Sequence, residues 1–336
     1  MSDPKVTVVV VPRERFNITE LALETLYEHT DLPFKLVYVD GNSPRHIKHY
    51  LEVQAKQKGF SLIRTEHFLS PNQARNLGVA QVDTKYVVFV DNDLLVQRGW
   101  LENLVQCADE TGAWVVGPLY FEGKPEDQII HMAGGHANLR QEQGKRELYT
   151  RHILHGKRLP AVRSQLQRGP TELVEFHCTL VRTEVLEKLG PLDEKLMSTP
   201  EHIDLCLAVQ EAGGTVYFEP NSIVTYVTPP PFASTDLPFF LLRWSDAWNR
   251  TSLEHFRNKW NLTEDDLYIK GNYKWLKGHR RLAFKPLQKS IGRVLPGKTA
   301  FKIVDLMDRA INFYLTNSTG RRGFGKKATS LAAPSD

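Results

Sequence analysis

Two aspartates close the run Val87-Val88-Phe89-Val90-Asp91-Asn92-Asp93. Carboxylates two positions apart at the end of an apolar strand can reach one hard cation together. Mg2+ and Mn2+ favour such oxygen sites when water and substrate phosphates complete them. An ordinary Asp-Asn-Asp turn would carry the same letters, but apolar residues flank this one on both sides, with Leu94-Leu95-Val96 following. Asp40 heads a second turn, Asp40-Gly41-Asn42-Ser43. It suits hydrogen bonds from a nucleobase or ribose, or the capping of its own turn. Ser70-Pro71-Asn72-Gln73 opens a helix, with Ser as cap, Pro in the first turn and Gln three residues on. That N-terminus offers backbone donors and positive potential to an anion. Arg75 and Asn76 stand one turn in, adding side-chain donors or facing solvent.

The segment Pro200-Glu201-His202-Ile203-Asp204-Leu205-Cys206-Leu207 begins another helix. Glu201 and Asp204 are three apart and so share a face, with His202 turned about 100° away. A Glu/His/Asp group suits base catalysis on a hydroxyl, because histidine titrates near neutrality. Acids complementing the helix dipole would account for Glu201 and Asp204, but not for His202. His131, His136, His152 and His155 have no spacing that defines a metal site and read as loop histidines, with a role in binding sugar as the lesser alternative.

The elements around these residues alternate. Residues 6–11, 36–39, 61–64, 86–90 and 113–116 are short apolar runs expected to be strands. Helical patterns lie between them, near Ile18 to Leu26, over 46–58, from Ser70, and over 101–108. This alternation predicts an α/β fold with a mostly parallel sheet covered on both faces. Ligands in such sheets sit beyond the carboxyl ends of the strands, where Pro12, Asp40 and Asp91 all fall. Residues 118–170 read as a long irregular insertion. A strand over 172–181, a helix from Thr183, a helix over 203–212 and a strand over 215–218 follow. After Pro229-Pro230-Pro231 the pattern is helical. In its last part Phe301, Val304, Met307, Ile311 and Leu315 form a stripe expected to face the core. Residues 317–336 read as disordered.

The 336 residues are 41% hydrophobic and 24% charged, the composition of a folded soluble protein of about two domains. No run is long enough for a membrane span, and the N-terminus lacks a signal-peptide pattern, so the expected location is cytoplasmic. Three scattered cysteines define neither a disulfide framework nor a zinc site. The net charge of +4 averages −7 over residues 1–270 and +11 over 271–336. A basic tail with interspersed Leu, Ile, Val and Phe suits either an anionic membrane surface or a helix packed on the body. No nucleic-acid reading module accompanies it, so no nucleic acid is expected. A nicotinamide enzyme is disfavoured, since Val11-Pro12-Arg13-Glu14 stands where a G-x-G-x-x-G would follow the first strand.

The order of these motifs resembles family 2 glycosyltransferases of the GT-A fold. The resemblance rests on the opening strand with Pro12, VDGNS, SPNQARNLG, the DND triplet, LGPLDEKL and PEHIDLCL, and covers about residues 5–227. It implies a three-layer GT-A-like catalytic domain over 1–228, with nucleotide-sugar binding in 1–117 and the acceptor and catalytic part in 118–228. A helical basic extension over 229–316 and a tail complete the chain. It further implies a nucleotide-diphosphate-sugar donor, a glycan or other hydroxyl acceptor, and a divalent metal, Mn or Mg. By position Pro12, Asp40, Arg75, Asp91 and Asn92 would bind the nucleotide sugar. Asp93, with Asp91, would hold the metal. PEHIDLCL aligns with the segment carrying the catalytic base of inverting members. That acid is His202 here, leaving His202 or Glu201 as base, with Asp204 beside them. The family's frequent histidine after the next strand is missing from Val224-Thr225-Tyr226-Val227. Both departures also fit a catalytically degenerate sugar-nucleotide-binding or scaffold protein.

Overall fold

A computed structural model of the chain describes residues 3–142, 144–229, 231–319 and 329–331. Its elements run β1 (Val6–Val11), α1 (Thr19–Glu28), β2 (Lys35–Gly41), α2 (Arg45–Lys58), β3 (Ser61–Thr65), α3 (Pro71–Val79), β4 (Tyr86–Asp91), β5 (Leu94–Val96), α4 (Trp100–Thr111) and β6 (Val115–Glu122). There follow β7 (Ile129–Met132), β8 (Gly135–Glu142), β9 (Lys145–His152), α5 (Leu159–Val162), β10 (Gly169–Thr171), β11 (Cys178–Arg182), α6 (Thr183–Leu189), α7 (Glu201–Glu211) and β12 (Val216–Tyr226). The chain ends in α8 (Leu237–Arg243), α9 (Asp246–Lys259), α10 (Leu267–Arg280), α11 (Lys285–Ile291), α12 (Gly297–Thr319) and β13 (Thr329–Leu331).

The strands form a mixed sheet in the order β10-β12-β6-β11-β4-β1-β2-β3-β13. β1, β2, β3 and β4 are mutually parallel where they pair, and so are β6 and β12; β11 runs antiparallel between β4 and β6. Every residue of β1 and β4 is buried, so helices cover both faces. α3 lies so close on β1 that a Cβ on Gly78 would come within 2.3 Å of Val9 Cγ1. The architecture is the α/β sandwich that the alternation predicts.

Register brings the site together. Val11 pairs with Asp91 across β1 and β4, so the segment after β1 lies beside the aspartate triplet. Because β11 is antiparallel, it starts at the edge where β4 ends, and the Asp91 N–H donates to the His177 carbonyl. β6 and β12 finish at that edge too, with Glu122 opposite Tyr226.

Several expectations need correction. Residues 118–170 are not irregular: β6 continues to Glu122, β7 pairs with it, and β8 and β9 form a hairpin. The hairpin sequences GHANLRQE and KRELYTRH are mostly polar, with few apolar residues to show the period-2 pattern. The strand expected over 172–181 begins only at Cys178, and β5 was hidden as a short run that pairs with β12. Within the expected stripe on α12 only Val304 is buried, while Phe301 and Met307 are exposed. Residues 317–319 complete α12 and β13 pairs with β3, so the disordered tail does not hold there; the rest of that expectation lies outside the described residues.

Candidate functional site

The carboxyl edge of the sheet carries a buried cluster of opposite charges. Asp91 accepts a hydrogen bond from His177 Nδ1 at 2.8 Å, and lies 3.5 Å from Arg13 Nε and 3.7 Å from Arg75 Nη2. Glu201, at the start of α7, faces Arg13 at 3.7 Å, Arg75 at 3.9 Å and Arg243 of α8 at 3.4 Å. Arg75 also stacks over Phe176, 3.9 Å from the ring centre. Asp93 is fully buried, and Arg15 lies 3.7 Å from it. Burial opposes the charge on Asp91, but the His177 bond and the two guanidinium groups hold its pKa below the usual range. At Asp93 burial dominates, Arg15 compensates only in part, and the pKa is pushed well above the usual range.

Many polar atoms of this cluster lack partners. Both oxygens of Asp93, Asp91 Oδ1, Glu201 Oε2, Arg13 Nε, Arg15 Nε, Arg75 Nε and Nη2, and Arg243 Nε and Nη1 are buried without a hydrogen bond. Folded proteins satisfy nearly all buried polar groups, so a concentration like this marks a place where a ligand, ion or water completes the structure. The donor set matches the chemistry: unpartnered carboxylate oxygens fit a hard divalent cation, and unpartnered guanidinium N–H groups fit phosphate oxygens.

Behind Asp91 runs a chain of imidazoles and carboxylates. His177 Nε2 lies 3.4 Å from Glu175, which accepts from His131 Nε2 at 2.9 Å; His131 Nδ1 donates to Glu122 at 3.0 Å. Burial disfavours the imidazolium of His131, but Glu175 and Glu122 together raise its pKa to about 10. His202 Nε2 sits 4.0 Å from Glu175 Oε1. Burial outweighs Glu175 and Glu201 there and lowers its pKa to about 4, so the ring is neutral at pH 7.

Other predicted residues have different surroundings. Asp204 does not join Glu201: it receives hydrogen bonds from Lys259 Nζ at 2.7 Å and Trp260 Nε1 at 2.8 Å, and so ties α7 to the region after β12. The side chain of Asn92 is taken up within the protein, accepting from Arg13 N–H and donating to the Arg15 carbonyl and Thr19. It shapes the loop after β1 and has no amide hydrogen left for a ligand. Asp40 accepts from both the N–H and the hydroxyl of Ser43 and pairs with Arg64, a turn cap with an added ion pair. Pro12 packs over Gly41, where a Cβ would come within 3.1 Å of its ring. Tyr226, in the stretch that lacks the histidine, donates to Glu14 at 2.8 Å and stacks on His177.

Sequence reasoning missed Arg13, Arg15, Glu175, His177 and Arg243. The two arginines follow a strand end that was already singled out, a signal that could have found them. Glu175, His177 and Arg243 gave none, because antiparallel β11 and the packing of α8 bring them in.

The model of glycosyl transferase family 2 matches residues 7–190, more than half of the chain. The chain belongs to glycosyl transferase family 2. It is 28% identical over 161 residues to a pre-mycofactocin glycosyltransferase of Mycobacterium tuberculosis, a match covering 48% of this chain and 30% of that protein. It is 25% identical over 218 residues to the O-antigen biosynthesis protein RfbC of Myxococcus xanthus, covering 62% of this chain and 16% of that protein. The chain thus spans under a third of the length of these relatives. Among solved structures, GalNAc-T7 with UDP, GalNAc and Mn2+ aligns at a TM-score of 0.53 and 16% identity, over 87% of this chain and 58% of that one. The mannosyltransferase PcManGT of Pyrobaculum calidifontis with GDP-Man and Mn2+ aligns at 0.51 and 14%, over 95% and 86%. These two likenesses establish the GT-A type of fold for this family 2 member.

Proposed function

We propose that the chain transfers a glycosyl group from a nucleoside-diphosphate sugar to an acceptor hydroxyl, with inversion at the anomeric carbon. The observation that carries this reading is the unpartnered carboxylate of Asp93 beside unpartnered guanidinium groups, all buried at the carboxyl edge of the sheet. Nucleotides and Mn2+ are bound in the two structural neighbours, which supports the same ligand classes here.

Arg13, Arg75 and Arg243 bind the diphosphate through their free N–H groups. Asp93, with Asp91 near, would hold Mn2+ or Mg2+. Such an ion, when bound, stabilises the negative charge that develops on the leaving diphosphate. Pro12 and Asp40 line the nucleotide side. His202 Nε2, neutral at pH 7, takes the proton of the acceptor hydroxyl as its oxygen bonds to the anomeric carbon and the bond to the diphosphate breaks. Glu175 steadies the resulting imidazolium. Glu201 is the other candidate base, and its carboxylate faces three guanidinium groups. Residues 1–228 would form the catalytic part, with the donor bound by 1–117 and the acceptor by 118–228. The basic helices of 229–316 add Arg243 to the donor site.

The test is a panel of nucleotide sugars with and without Mn2+, scored by thermal stabilisation and by release of nucleoside diphosphate. Metal-dependent stabilisation with hydrolysis supports transfer. Stabilisation without turnover supports the degenerate, donor-binding reading, which the lack of a histidine in Val224-Thr225-Tyr226-Val227 favours. Neither effect with any donor would end both.

The same chain carries a surface suited to an anionic membrane. Apart from Leu21, the large exposed apolar side chains of the described residues lie between Leu267 and Tyr314, among them Trp275, Val294, Leu306, Phe313 and Tyr314. Lys285, Lys289, Arg293, Lys298 and Lys302 are interspersed with them. Apolar side chains among basic ones match a lipid interface. None of the described helices is long and apolar enough to cross a membrane, so the contact would be peripheral. Phe313→Asp with Tyr314→Asp in the full chain should abolish co-sedimentation with phosphatidylglycerol vesicles; undiminished sedimentation would exclude this surface.

A further inference from the structure

We propose that His131, His152 and His155 form a second metal site, separate from Asp93 and selective for a borderline cation of the Zn2+ class. One ligand nitrogen from each ring lies within 4.8 Å of the others. The rings pack edge to face, with centroids 5.3, 5.7 and 6.1 Å apart. Three imidazoles gathered this closely repel one another when protonated. When neutral, they present the lone pairs that a Zn2+-class ion takes in tetrahedral sites with an open position.

The surroundings are built for this. His131 is on β7, His152 ends β9, and His155 lies three residues on. Between them Leu154 adopts φ 58°, a left-handed conformation that is costly for leucine, and the turn carries His155 back towards β7. The Gly156 N–H donates to the Ile130 carbonyl, and the Ile153 N–H donates to the Gly134 carbonyl while its own carbonyl accepts from the Ala133 N–H. His155 Nδ1 donates to the His131 carbonyl at 2.9 Å, which leaves Nε2 as a lone-pair donor, the usual outer arrangement of a metal-binding histidine. His131, held as an imidazolium between Glu122 and Glu175, must release one ring proton to solvent and give up one of its two carboxylate bonds on ligation, which frees that carboxylate to occupy the fourth position. His155 is exposed, so an ion has an entry path.

Nitrogen ligands discriminate this site from Asp93, whose oxygens suit Mg2+ or Mn2+. A bound ion would clip the end of β9 and the turn after it to β7, and set the wall next to His177, whose ring lies 5.8 Å from that of His131. The inference rests on the histidine geometry alone and stands apart from the glycosyl-transfer reading.

The experiment titrates the chelator-stripped full chain with Zn2+ against a chromophoric chelator, and with Co2+ by visible absorption. A single tight equivalent is expected, with a tetrahedral Co2+ band. His152→Ala and His155→Ala should each weaken Zn2+ binding by about 100-fold or more, beyond the 10–100-fold of an outer-shell loss. Asp93→Asn and His136→Ala should leave it within about twofold of the parent. His155→Gln serves as a second variant should His155→Ala fail to keep its near-ultraviolet circular dichroism. Absence of stoichiometric Zn2+ uptake would overturn the proposal. So would uptake unchanged in the His152→Ala/His155→Ala double variant, or uptake lost in Asp93→Asn.

Discussion

Replacing Asp93 by asparagine separates a functional carboxylate from a structural one. In the free protein both oxygens are buried and neither accepts a hydrogen bond, so the substitution breaks none. The raised pKa gives the sign of the pH effect. Below the ordinary carboxylate range, Asp93 is protonated in both folded and unfolded chains and costs nothing. As pH rises, the unfolded chain loses its proton first, and stability falls by up to ~1.4 kcal/mol per pH unit until the raised folded value is reached. Asparagine removes that slope. The attraction to Arg15 at 3.7 Å is already contained in that raised value, so it is not a separate opposing term, and the asparagine oxygen can still face Arg15. Asp93→Asn should therefore match the parent near pH 4 and gain on it as pH rises, by up to ~1.4 kcal/mol per pH unit between pH 5 and 7. Donor hydrolysis should fall by about 10³-fold, the equivalent of ~4 kcal/mol of lost metal assistance. Calorimetric melting at pH 5, 6 and 7, alongside nucleotide release, measures both. A variant that is less stable at every pH yet keeps its activity would refute the reasoning, because Asp93 would then be a buried partner of Arg15 and nothing more.

Four further outcomes are expected. His202→Ala should lower kcat by about 10²–10⁴-fold with donor affinity changed less than twofold in a binding titration; an unchanged rate would move the base to Glu201. Asp204→Asn should cost about 1–3 kcal/mol in a denaturant melt through its bonds to Lys259 and Trp260, yet retain kcat. His131, with a folded pKa raised to about 10, stabilises fully below pH 6.5 and loses that contribution as pH rises to 10; His131→Gln should flatten this fall, at most ~1.4 kcal/mol per pH unit, in melts over that range. Gly78→Ala should lower the melting temperature, since its Cβ would come within 2.3 Å of Val9, and the loss should amount to about 1–3 kcal/mol.

The parts of the site legible in the sequence are those that follow a parallel strand directly. Pro12, Asp40 and Asp91 mark strand ends by a change from apolar to turn residues. Ser70 and Gln73 form the capping box that their spacing announces. What each such side chain contacts was not legible. Asn92 and Asp204 look like site residues in one dimension, but their atoms are engaged by Arg13, Thr19, Lys259 and Trp260, partners distant in the chain.

By itself the sequence determined the strand and helix alternation, the polarity of the sheet edge, the family likeness and the uneven charge, because these depend on local propensity and periodicity. Only the tertiary structure decided that β11 runs antiparallel and delivers Glu175 and His177 beside Asp91. It alone brings Arg243 from α8 onto Glu201, and gathers His131, His152 and His155 from a stretch that reads as loop. The reason is physical. Burial and long-range pairing set the charge state and the partners of each group, and neither can be read from a residue's neighbours along the chain.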